Sequence, residues 1–400
     1  MQAARPVGGA VTAGQRSMIR RHMATYRRAQ EGYYIGTKPT FTVEDGRQAF
    51  SLISPPLNSP VTKRRVKFIM KNMLGAKPSA DARLFPSGPR TPHVVTVAVT
   101  YDCQCRCGHC SAASFGEEMR RRGAALSAAE LKDAIAQCVE LGATCVILTG
   151  GEPLLWPGLF DVIRSIDRRK SICTVFTNGE YLDETAVDRL KRAGAYGVFV
   201  SFDSADPTEH DRHRGRPGLF EKAAAGVGRC RAAGLLTGLS TYATRESMAD
   251  GRLDALMDLG RALGVLEVFV FDAIPVGRLG GCPECAMTGR DSDALRALRN
   301  RYNERADYPR VLHQTMFSSI AHPCVAEGCP AGVIQMHLRA NGDVSPCDFT
   351  PCSFGNIRRR PVADIWRDLT SSPLYAEPSP RCRMSDPDFR TRVAALEASA

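Results

Sequence analysis

Three cysteines close together in the chain have the residue type and spacing of an iron–sulfur site. Cys103, Cys107 and Cys110 follow a strand-like apolar run at C-x3-C-x2-C spacing. An iron–sulfur cluster normally takes four cysteine thiolates, so three of them leave one iron without a protein ligand. Catalytic zinc sites likewise keep one position open for the reacting molecule. The spacing therefore predicts a cluster with an open, reactive iron.

A second motif follows at the end of the next apolar run. The stretch Gly150-Gly151-Glu152-Pro153 comes directly after Thr149. Two glycines allow the backbone to approach a ligand closely. Backbone carbonyls and the Glu152 carboxylate can then accept hydrogen bonds from a cationic amino group. Alone this stretch would be an ordinary turn, but after the cysteine motif it indicates a ligand site.

The two motifs, in this order, resemble those of the radical S-adenosylmethionine (radical SAM) enzymes across residues 90–305. The resemblance implies that the three cysteines hold a [4Fe–4S] cluster and that S-adenosylmethionine (SAM) chelates its fourth iron. One electron from the cluster would cleave SAM to methionine and a 5′-deoxyadenosyl radical, which abstracts hydrogen from the substrate. An electron donor such as ferredoxin or flavodoxin is implied. The residues implied to bind SAM are Gly150, Gly151, Glu152, Pro153, Asn178, Ser201, Asp203 and Arg214.

Polar residues at later strand ends extend this expectation. Ser201 and Asp203 match positions that contact the ribose and carboxylate of SAM, and Arg214 resembles, by its spacing from His210, an arginine that binds the carboxylate. A planar guanidinium suits a carboxylate because it can bind both oxygens. For Arg214, and for the nearby Arg212, a surface salt bridge is the alternative. Ser240, Thr241 and Asp272 also end predicted strands and are expected to line the same pocket.

Zinc is the alternative metal for the first cysteine group, because soft thiolates also select it. Cys105 lies between the three cysteines, and four thiolates within eight residues are too cramped for a paired C-x2-C zinc ribbon. We expect Cys105 to point away from the cluster. His109 is expected to pack beside SAM or to hydrogen-bond a cluster sulfur.

The C-terminal cysteines form a second group. Twelve residues separate Cys329 from Gly342, and four more lead to Cys347. This pattern resembles the SPASM/twitch extension, which holds auxiliary [4Fe–4S] clusters, although the C-x2-C-x5-C-x3-C run of double-cluster members is missing. The resemblance implies one auxiliary cluster, with Cys324 as a substitute ligand and a zinc knuckle as the alternative. The implied ligands are Cys329, Cys347, Cys352 and Cys382.

A further C-x2-C pair, Cys282 and Cys285, has no clear partner and is interpreted as loop thiols or as a zinc or redox pair. The remaining cysteines lie in apolar helix or strand contexts and are expected to be inert core residues. They are Cys138, Cys145, Cys173 and Cys230.

The hydrophobic pattern predicts six β–α units in series, and therefore a parallel sheet with right-handed crossovers. Predicted strands cover 94–101, 145–148, 172–176, 198–202, 239–243 and 265–271, and predicted helices cover 127–140, 159–169, 184–193, 220–233, 252–263 and 293–304. Six units are too few for a closed eight-stranded barrel. The fold class is α/β, with the partial (β/α)6 barrel of the radical SAM family. Every chemical motif of this region falls at the carboxyl end of a strand, where ligands sit in such sheets.

Three regions follow from this pattern: an N-terminal basic extension at 1–90, a partial barrel at 91–305 and a small cysteine-rich domain at 306–390. The extension includes an amphipathic segment at 63–71, which is expected either to pack on the barrel or to contact an anionic membrane. No run of apolar residues approaches the ~18 needed for a membrane span.

Composition and charge limit the functions to be considered. The net charge is +11, yet there is no helix-turn-helix or RNA-binding signature, so no nucleic-acid partner is expected. No export signal is visible and the 15 cysteines cluster at metal-ligand spacings, which indicates a reducing cytoplasm. The prediction is a radical SAM enzyme of natural-product or cofactor biosynthesis that acts on a small molecule or peptide. A non-catalytic iron–sulfur or zinc scaffold is the alternative.

Overall fold

The computed structural model describes residues 38–75, 90–113, 115–116, 125–316, 327–377 and 379–398. Most of the predicted extension and Cys324 lie outside these residues. The strands are β1 (Phe41–Thr42), β2 (Gln48–Ala49), β3 (Val94–Thr100), β4 (Cys145–Gly150), β5 (Ile172–Thr177), β6 (Gly197–Ser201), β7 (Leu236–Ala243), β8 (Glu267–Asp272), β9 (Arg310–His313), β10 (Gln335–Leu338) and β11 (Val344–Ser345). The α-helices are α1 (Pro60–Gly75), α2 (Ala128–Leu141), α3 (Leu159–Ser165), α4 (Glu184–Ala193), α5 (Pro207–Arg214), α6 (Leu219–Ala232), α7 (Arg245–Ala249), α8 (Arg252–Ala262), α9 (Gly289–Asn303), α10 (Val362–Ser371) and α11 (Pro387–Ala398).

One sheet organises the protein. Its strand order is β11-β10-β3-β4-β5-β6-β7-β8-β9, and all neighbours from β10 to β9 are parallel. The six predicted β–α units are β3 to β8 with their helices, so the predicted α/β class with a parallel sheet is confirmed. Strand β9 was not predicted, because its four residues begin and end with Arg310 and His313 and contain no long apolar run.

Local signals explain where the helices begin and end. Ser127 and Glu130 form a capping box at the start of α2. Helix α4 ends at Gly194 as predicted, because this glycine adopts a left-handed conformation with φ 93°. Helix α9 begins earlier than predicted, since Thr288 caps its first turn.

The two faces of the sheet have different partners. One face packs its apolar side chains against the helices, for example Val95 and Val97 of β3. The other face packs against a segment that precedes α1, whose buried side chains include Phe50, Leu52 and Ile53. The backbone N–H of Leu52 donates to the buried carboxylate of Glu267 at 2.7 Å. The described part of the N-terminal extension therefore belongs to the core of the sheet.

The amphipathic segment at 63–71 forms part of α1 and packs on the protein body. Arg65 is completely buried, and its Nε donates to the hydroxyl of Thr144 at 2.8 Å. Asn72 donates to the hydroxyl of Thr91 at 2.8 Å. Of the two expectations for this segment, packing on the barrel is the one observed. Among the described residues, no helix combines the length and apolarity that crossing a membrane requires.

The C-terminal region adds two strands to the same sheet. The turn at Asn341-Gly342-Asp343 joins β10 and β11 in an antiparallel pair, as predicted. Strand β10 pairs in parallel with β3, with Gln335 opposite Val94. The backbone that carries the second cysteine group is therefore continuous with the sheet that carries the first.

Candidate active site

The segment with the first cysteine group leaves the sheet at the end of β3 and is held by two other elements. On one side, the N–H of Arg106 donates to the carbonyl of Arg214, at the end of α5, over 2.8 Å. On the other side, the N–H of Arg278 donates to the carbonyl of Cys110 over 3.1 Å. The Nη1 of Arg278 also donates to the carbonyl of Cys107 at 2.7 Å. The segment is therefore positioned by backbone contacts from both flanking loops.

A cavity of about 650 Å³ lies at the carboxyl ends of the strands, within the range of small-molecule sites. Most of the sequence-predicted residues line it: Cys103, Cys107, Cys110, Gly150, Gly151, Asn178, Ser201, Asp203, Arg214, Ser240, Thr241 and Asp272. The sequence therefore identified which residues would meet. Their roles as metal ligands and SAM contacts stay predictions.

Glu152 lies behind the cavity wall. Its carboxylate is completely buried and accepts hydrogen bonds from the hydroxyl of Thr177 at 2.7 Å, the N–H of Asn178 at 2.8 Å and the N–H of Leu154 at 3.0 Å. Burial raises the pKa of Glu152 to about 7. Glu152 therefore joins the end of β4 to the end of β5, while Pro153, also buried, begins a short 3-10 helix.

The two glycines before Glu152 are required by the chain itself. A Cβ on Gly150, whose φ is +134°, would lie 2.1 Å from the carbonyl oxygen of Thr100. A Cβ on Gly151 would lie 2.2 Å from the carbonyl oxygen of Asp102. The close approach in the structure is between the motif and the backbone that leads into Cys103, and the approach to a ligand stays a prediction. The motif fixes the start of the cysteine segment.

A buried ion pair forms one wall of the cavity. The Nη2 of Arg214 donates to Oδ1 of Asp203 at 2.6 Å, and its Nη1 lies 3.8 Å from Sγ of Cys107. Burial opposes ionisation of Asp203, but the guanidinium of Arg214 holds the pKa of Asp203 below its usual value. Among the described residues, the Oδ2 of Asp203 and the Nε of Arg214 have no hydrogen-bond partner. A polar ligand in the cavity would satisfy such atoms.

His109 forms an adjacent part of the wall. Its ring stacks on Tyr242 with centroids 3.9 Å apart, and its Nε2 lies 3.8 Å from Oδ1 of Asp203. Burial lowers the pKa of His109 to about 4, so the imidazole is neutral near pH 7. Tyr242 was not singled out from the sequence, although its place near the end of a predicted strand was a usable signal.

Polar contacts link neighbouring strand ends. The hydroxyls of Ser201 and Ser240 lie 3.2 Å apart. Asn178 accepts a hydrogen bond from Nε2 of Gln104 at 3.1 Å, and its Nδ2 lies 3.9 Å from Sγ of Cys103. These contacts join β6 to β7 and connect the end of β5 to the cysteine segment.

The expectation that Cys105 points away is wrong. Cys105 lines the cavity, and its thiol hydrogen-bonds with the sulfurs of Cys103 and Cys107. The hydrogen bond from Cys105 is the largest cause that lowers the pKa of Cys107, to about 6. Among the described residues, no three His, Cys, Asp or Glu side chains are close enough to hold a single metal ion. A [4Fe–4S] cluster instead distributes its thiolate ligands over different irons.

Only part of the second cysteine group is brought together. Cys329 and Cys347 lie close enough to raise the pKa of the Cys382 thiol, after the larger effect of burial. Cys352 is completely buried, and the charged groups that act on it are Arg339 and Glu397. Three of the four predicted ligands therefore act directly on one another, whereas Cys352 shares with Cys347 and Cys329 only the neighbour Tyr375, whose pKa all three raise after the larger effect of burial. The ligand roles of all four stay predictions.

The C-terminal region also contributes to the cavity wall through Asp348 and Phe349. Asp348 follows Cys347 directly, and burial raises its pKa to about 6. The ring of Phe349 lies 6.0 Å from that of Phe271 on β8. The sequence did not indicate these residues, because no local pattern shows which distant segment closes a cavity.

Cys282 and Cys285 form a disulfide, with a Cα–Cα distance of 5.4 Å. The two sulfurs are therefore bonded to each other rather than present as free loop thiols, and a redox role for the pair stays a hypothesis. The disulfide lies in the loop after β8, which also contains Arg278.

Comparisons with known proteins agree with this geometry. The radical SAM superfamily matches residues 97–253, and an iron–sulfur cluster-binding domain, SPASM, matches 329–385. The AdoMet-dependent heme synthase of Methanosarcina barkeri is 26% identical over 311 residues, 69% of this chain and 82% of the relative. The PqqA peptide cyclase of Gluconobacter oxydans is 25% identical over 333 residues, 78% of this chain and 89% of the relative.

A solved structure shares the fold. Streptococcus suis SuiB bound to its precursor peptide SuiA has a TM-score of 0.56 at 15% identity, and the match covers 90% of this chain and 78% of that one.

Proposed function

Because the chain belongs to the radical SAM superfamily and carries a SPASM domain, we propose that it uses Cys103, Cys107 and Cys110 to hold the cluster that cleaves SAM in a peptide- or cofactor-maturation reaction. The observation that carries this is the single cavity wall on which those cysteines and the Asp203–Arg214 pair meet. The test is release of 5′-deoxyadenosine from SAM by the reduced, iron-loaded protein. The relatives are named as synthases and a cyclase, which favours an enzyme over a non-catalytic scaffold.

The residues present fit these cofactors. Three thiols border a cavity large enough for a small molecule, beside buried polar atoms that have no partner among the described residues. When bound, the cluster and SAM supply the radical chemistry, and the protein supplies binding, orientation and exclusion of water. Arg278 and Arg214 hold the cysteine segment through its backbone.

We assign the SAM contacts from the same geometry. The free Nε of Arg214 suits a carboxylate. Ser201 and Asp203, at the end of β6, can accept hydrogen bonds from hydroxyl or amino groups of SAM. Gly150 and Gly151 line the same cavity and offer it backbone groups, whereas Glu152 acts through the strand ends that it joins.

For the auxiliary cluster we propose Cys329, Cys347 and Cys382 as ligands, and not Cys352. The first three thiols act on one another, while Cys352 is buried beside Arg339. Cys324, five residues before Cys329 in the sequence, is the candidate for the fourth position.

This assignment predicts different iron contents for two matched variants. Cys347→Ser should lose about four irons per chain, the content of one cluster. Cys352→Ser should keep the wild-type iron content, because its thiol is replaced without loss of a ligand. Iron and acid-labile sulfide analysis after anaerobic reconstitution measures both. Equal iron loss in the two variants would show that Cys352 is also a ligand of the auxiliary cluster.

The cavity favours a substrate with hydrogen-bond donors or positive charge, as a peptide offers, over a polycarboxylate. Two carboxylates lie in its wall beside the rings of Phe271 and Phe349: Asp272, which is buried and hydrogen-bonded to His313 and Gln314, and Asp348, which is partly exposed. Arg214 is assigned to the carboxylate of SAM and is therefore not available to a second anion, and like charges across a binding site disfavour anionic substrates. Iron coproporphyrin III, a tetrapyrrole polycarboxylate, is the informative probe. Saturable micromolar binding, followed by its Soret absorbance, would instead support a tetrapyrrole substrate.

We further propose a cytoplasmic location and a small acidic electron donor such as ferredoxin or flavodoxin. The net charge of +11 would attract an acidic protein. Substituting reduced flavodoxin for dithionite in the deoxyadenosine assay tests the donor.

A further inference from the structure

The Cys282–Cys285 disulfide lies at the protein surface next to the cysteine segment. Both cysteines are partly exposed, and the bridge closes the short turn Pro283–Cys285. The N–H of Cys285 donates to the carbonyl of Cys282 over 3.0 Å. Disulfides of cytosolic proteins are usually transient, catalytic or redox-sensing, so this inference rests on the proposed cytoplasmic location. Strained or exposed bridges are the ones that exchange with external thiols.

A short chain of hydrogen bonds connects this disulfide to the first cysteine group. The N–H of Cys282 donates to the carbonyl of Leu279 over 2.9 Å. Arg278 precedes Leu279 in the chain. Its backbone N–H donates to the carbonyl of Cys110, and its side chain donates to the carbonyl of Cys107. Only three residues therefore separate Cys282 from Arg278, whose contacts position the cysteine segment.

The loop lies in close contact with the cysteine segment at Gly277. Gly277 has φ +57°, and a Cβ there would lie 2.1 Å from the carbonyl oxygen of Cys110. A small displacement of the loop must therefore alter its contact with the cysteine segment.

The far end of the loop has a separate anchor. Arg245 donates to the carbonyls of Glu284 and Ala286 at 3.1 and 2.7 Å and pairs with Asp291 at 2.7 Å. The disulfide closes the turn from Cys282 to Cys285, and Arg245 anchors the same turn to the start of α7. Without the bridge, the loop segment from Arg278 to Glu284, where the contacts of Arg245 begin, would depend on the backbone hydrogen bonds described above.

We propose that Cys282–Cys285 is a thiol–disulfide exchange site whose redox state sets how firmly the loop holds the segment from Cys107 to Cys110. The reducing partner is a dithiol. Its thiolate attacks one sulfur of the bridge, its second thiol resolves the mixed disulfide, and the partner leaves as a disulfide. Two electrons and two protons pass to Cys282 and Cys285, which become thiols. Reduction removes a covalent constraint from the loop, so its hydrogen bonds open more often.

The exchange itself can be read on one peptide. Trypsin cleavage after Arg278 and Arg290 gives a peptide, 279–290, that contains both cysteines and no other cysteine. The iron-loaded protein, freed of small thiols, is equilibrated anaerobically with glutathione disulfide or with dithiothreitol and then alkylated. We expect the bridged peptide in the first case and the doubly alkylated peptide in the second. A peptide that remains fully alkylated in glutathione disulfide would overturn the proposal.

The coupling is measured by hydrogen exchange on the same two samples. We expect the amide of Arg278 to exchange about tenfold faster after reduction, with an unchanged iron content. The control is Cys282→Ala/Cys285→Ala, whose Arg278 amide should exchange at the fast rate in both buffers. Identical exchange in the oxidised and reduced wild-type protein would remove the coupling and leave only a solvent-exposed bridge.

Discussion

Replacing Cys103, Cys107 and Cys110 together by alanine is expected to reduce 5′-deoxyadenosine release to background. These thiols are the proposed ligands of the cluster that carries the chemistry, and no protein side chain can substitute for it. The variant should also lose about four irons per chain, the content of one cluster, while the auxiliary cluster remains. The measurement is chromatography of the nucleoside products after anaerobic reconstitution and dithionite reduction, with iron analysis of the same sample.

Cys105→Ala is the matched control for this result. Its thiol contacts both Cys103 and Cys107, yet the C-x3-C-x2-C spacing assigns it no iron. We expect this variant to keep its iron and its deoxyadenosine release. If Cys105→Ala loses iron while Cys103→Ala retains it, the ligand assignment is incorrect. A triple variant that still cleaves SAM would disprove the proposed function.

The second large effect is expected at the buried Asp203–Arg214 pair. Arg214→Ala leaves the Asp203 carboxylate completely buried without its 2.6 Å partner. Removal of one member of a buried pair typically costs about 3–5 kcal/mol of unfolding free energy. The same variant should bind SAM at least about tenfold more weakly, since a hydrogen bond between charged groups contributes about 1.5–3 kcal/mol. Chemical denaturation and isothermal titration with SAM measure the two quantities.

A double variant separates stability from binding. Asp203→Asn/Arg214→Gln removes both charges and keeps side chains of similar shape, so most of the lost stability should return. SAM affinity should remain low, because the guanidinium is still absent. Recovery of both quantities in the double variant would show that Arg214 serves only as the partner of Asp203.

The sequence predicted the parts of the protein that depend on local patterns. Strands β3 to β8 are mostly apolar and mostly buried, and such runs are visible without a structure. The cavity wall followed from the same pattern, because parallel strands place their carboxyl ends together. Asn178, from the end of β5, therefore lines the same cavity as Ser201 and Asp203, from the end of β6.

Features that depend on contacts between distant segments were not predictable. Phe50 and Leu52 pack on the face of the sheet opposite the helices, but no pattern near them in the sequence indicates that they contact the sheet. Asp348 enters the cavity wall only because its region folds back over the sheet. The environment of Glu152 was missed for a related reason: its hydrogen-bond donors come from the end of another strand.

The parallel pairing of β10 with β3 has a consequence for protein engineering. Segments containing auxiliary-cluster cysteines look exchangeable between relatives, since the sequence presents them as an appended unit. In this protein the ladder from Gln335 opposite Val94 to Leu338 opposite Val97 sets the spacing between the two cysteine groups. A one-residue slip would turn every side chain of β10 to the opposite face. A chimera must therefore inherit β3 and β10 from the same parent, and the two strands are the natural unit of exchange.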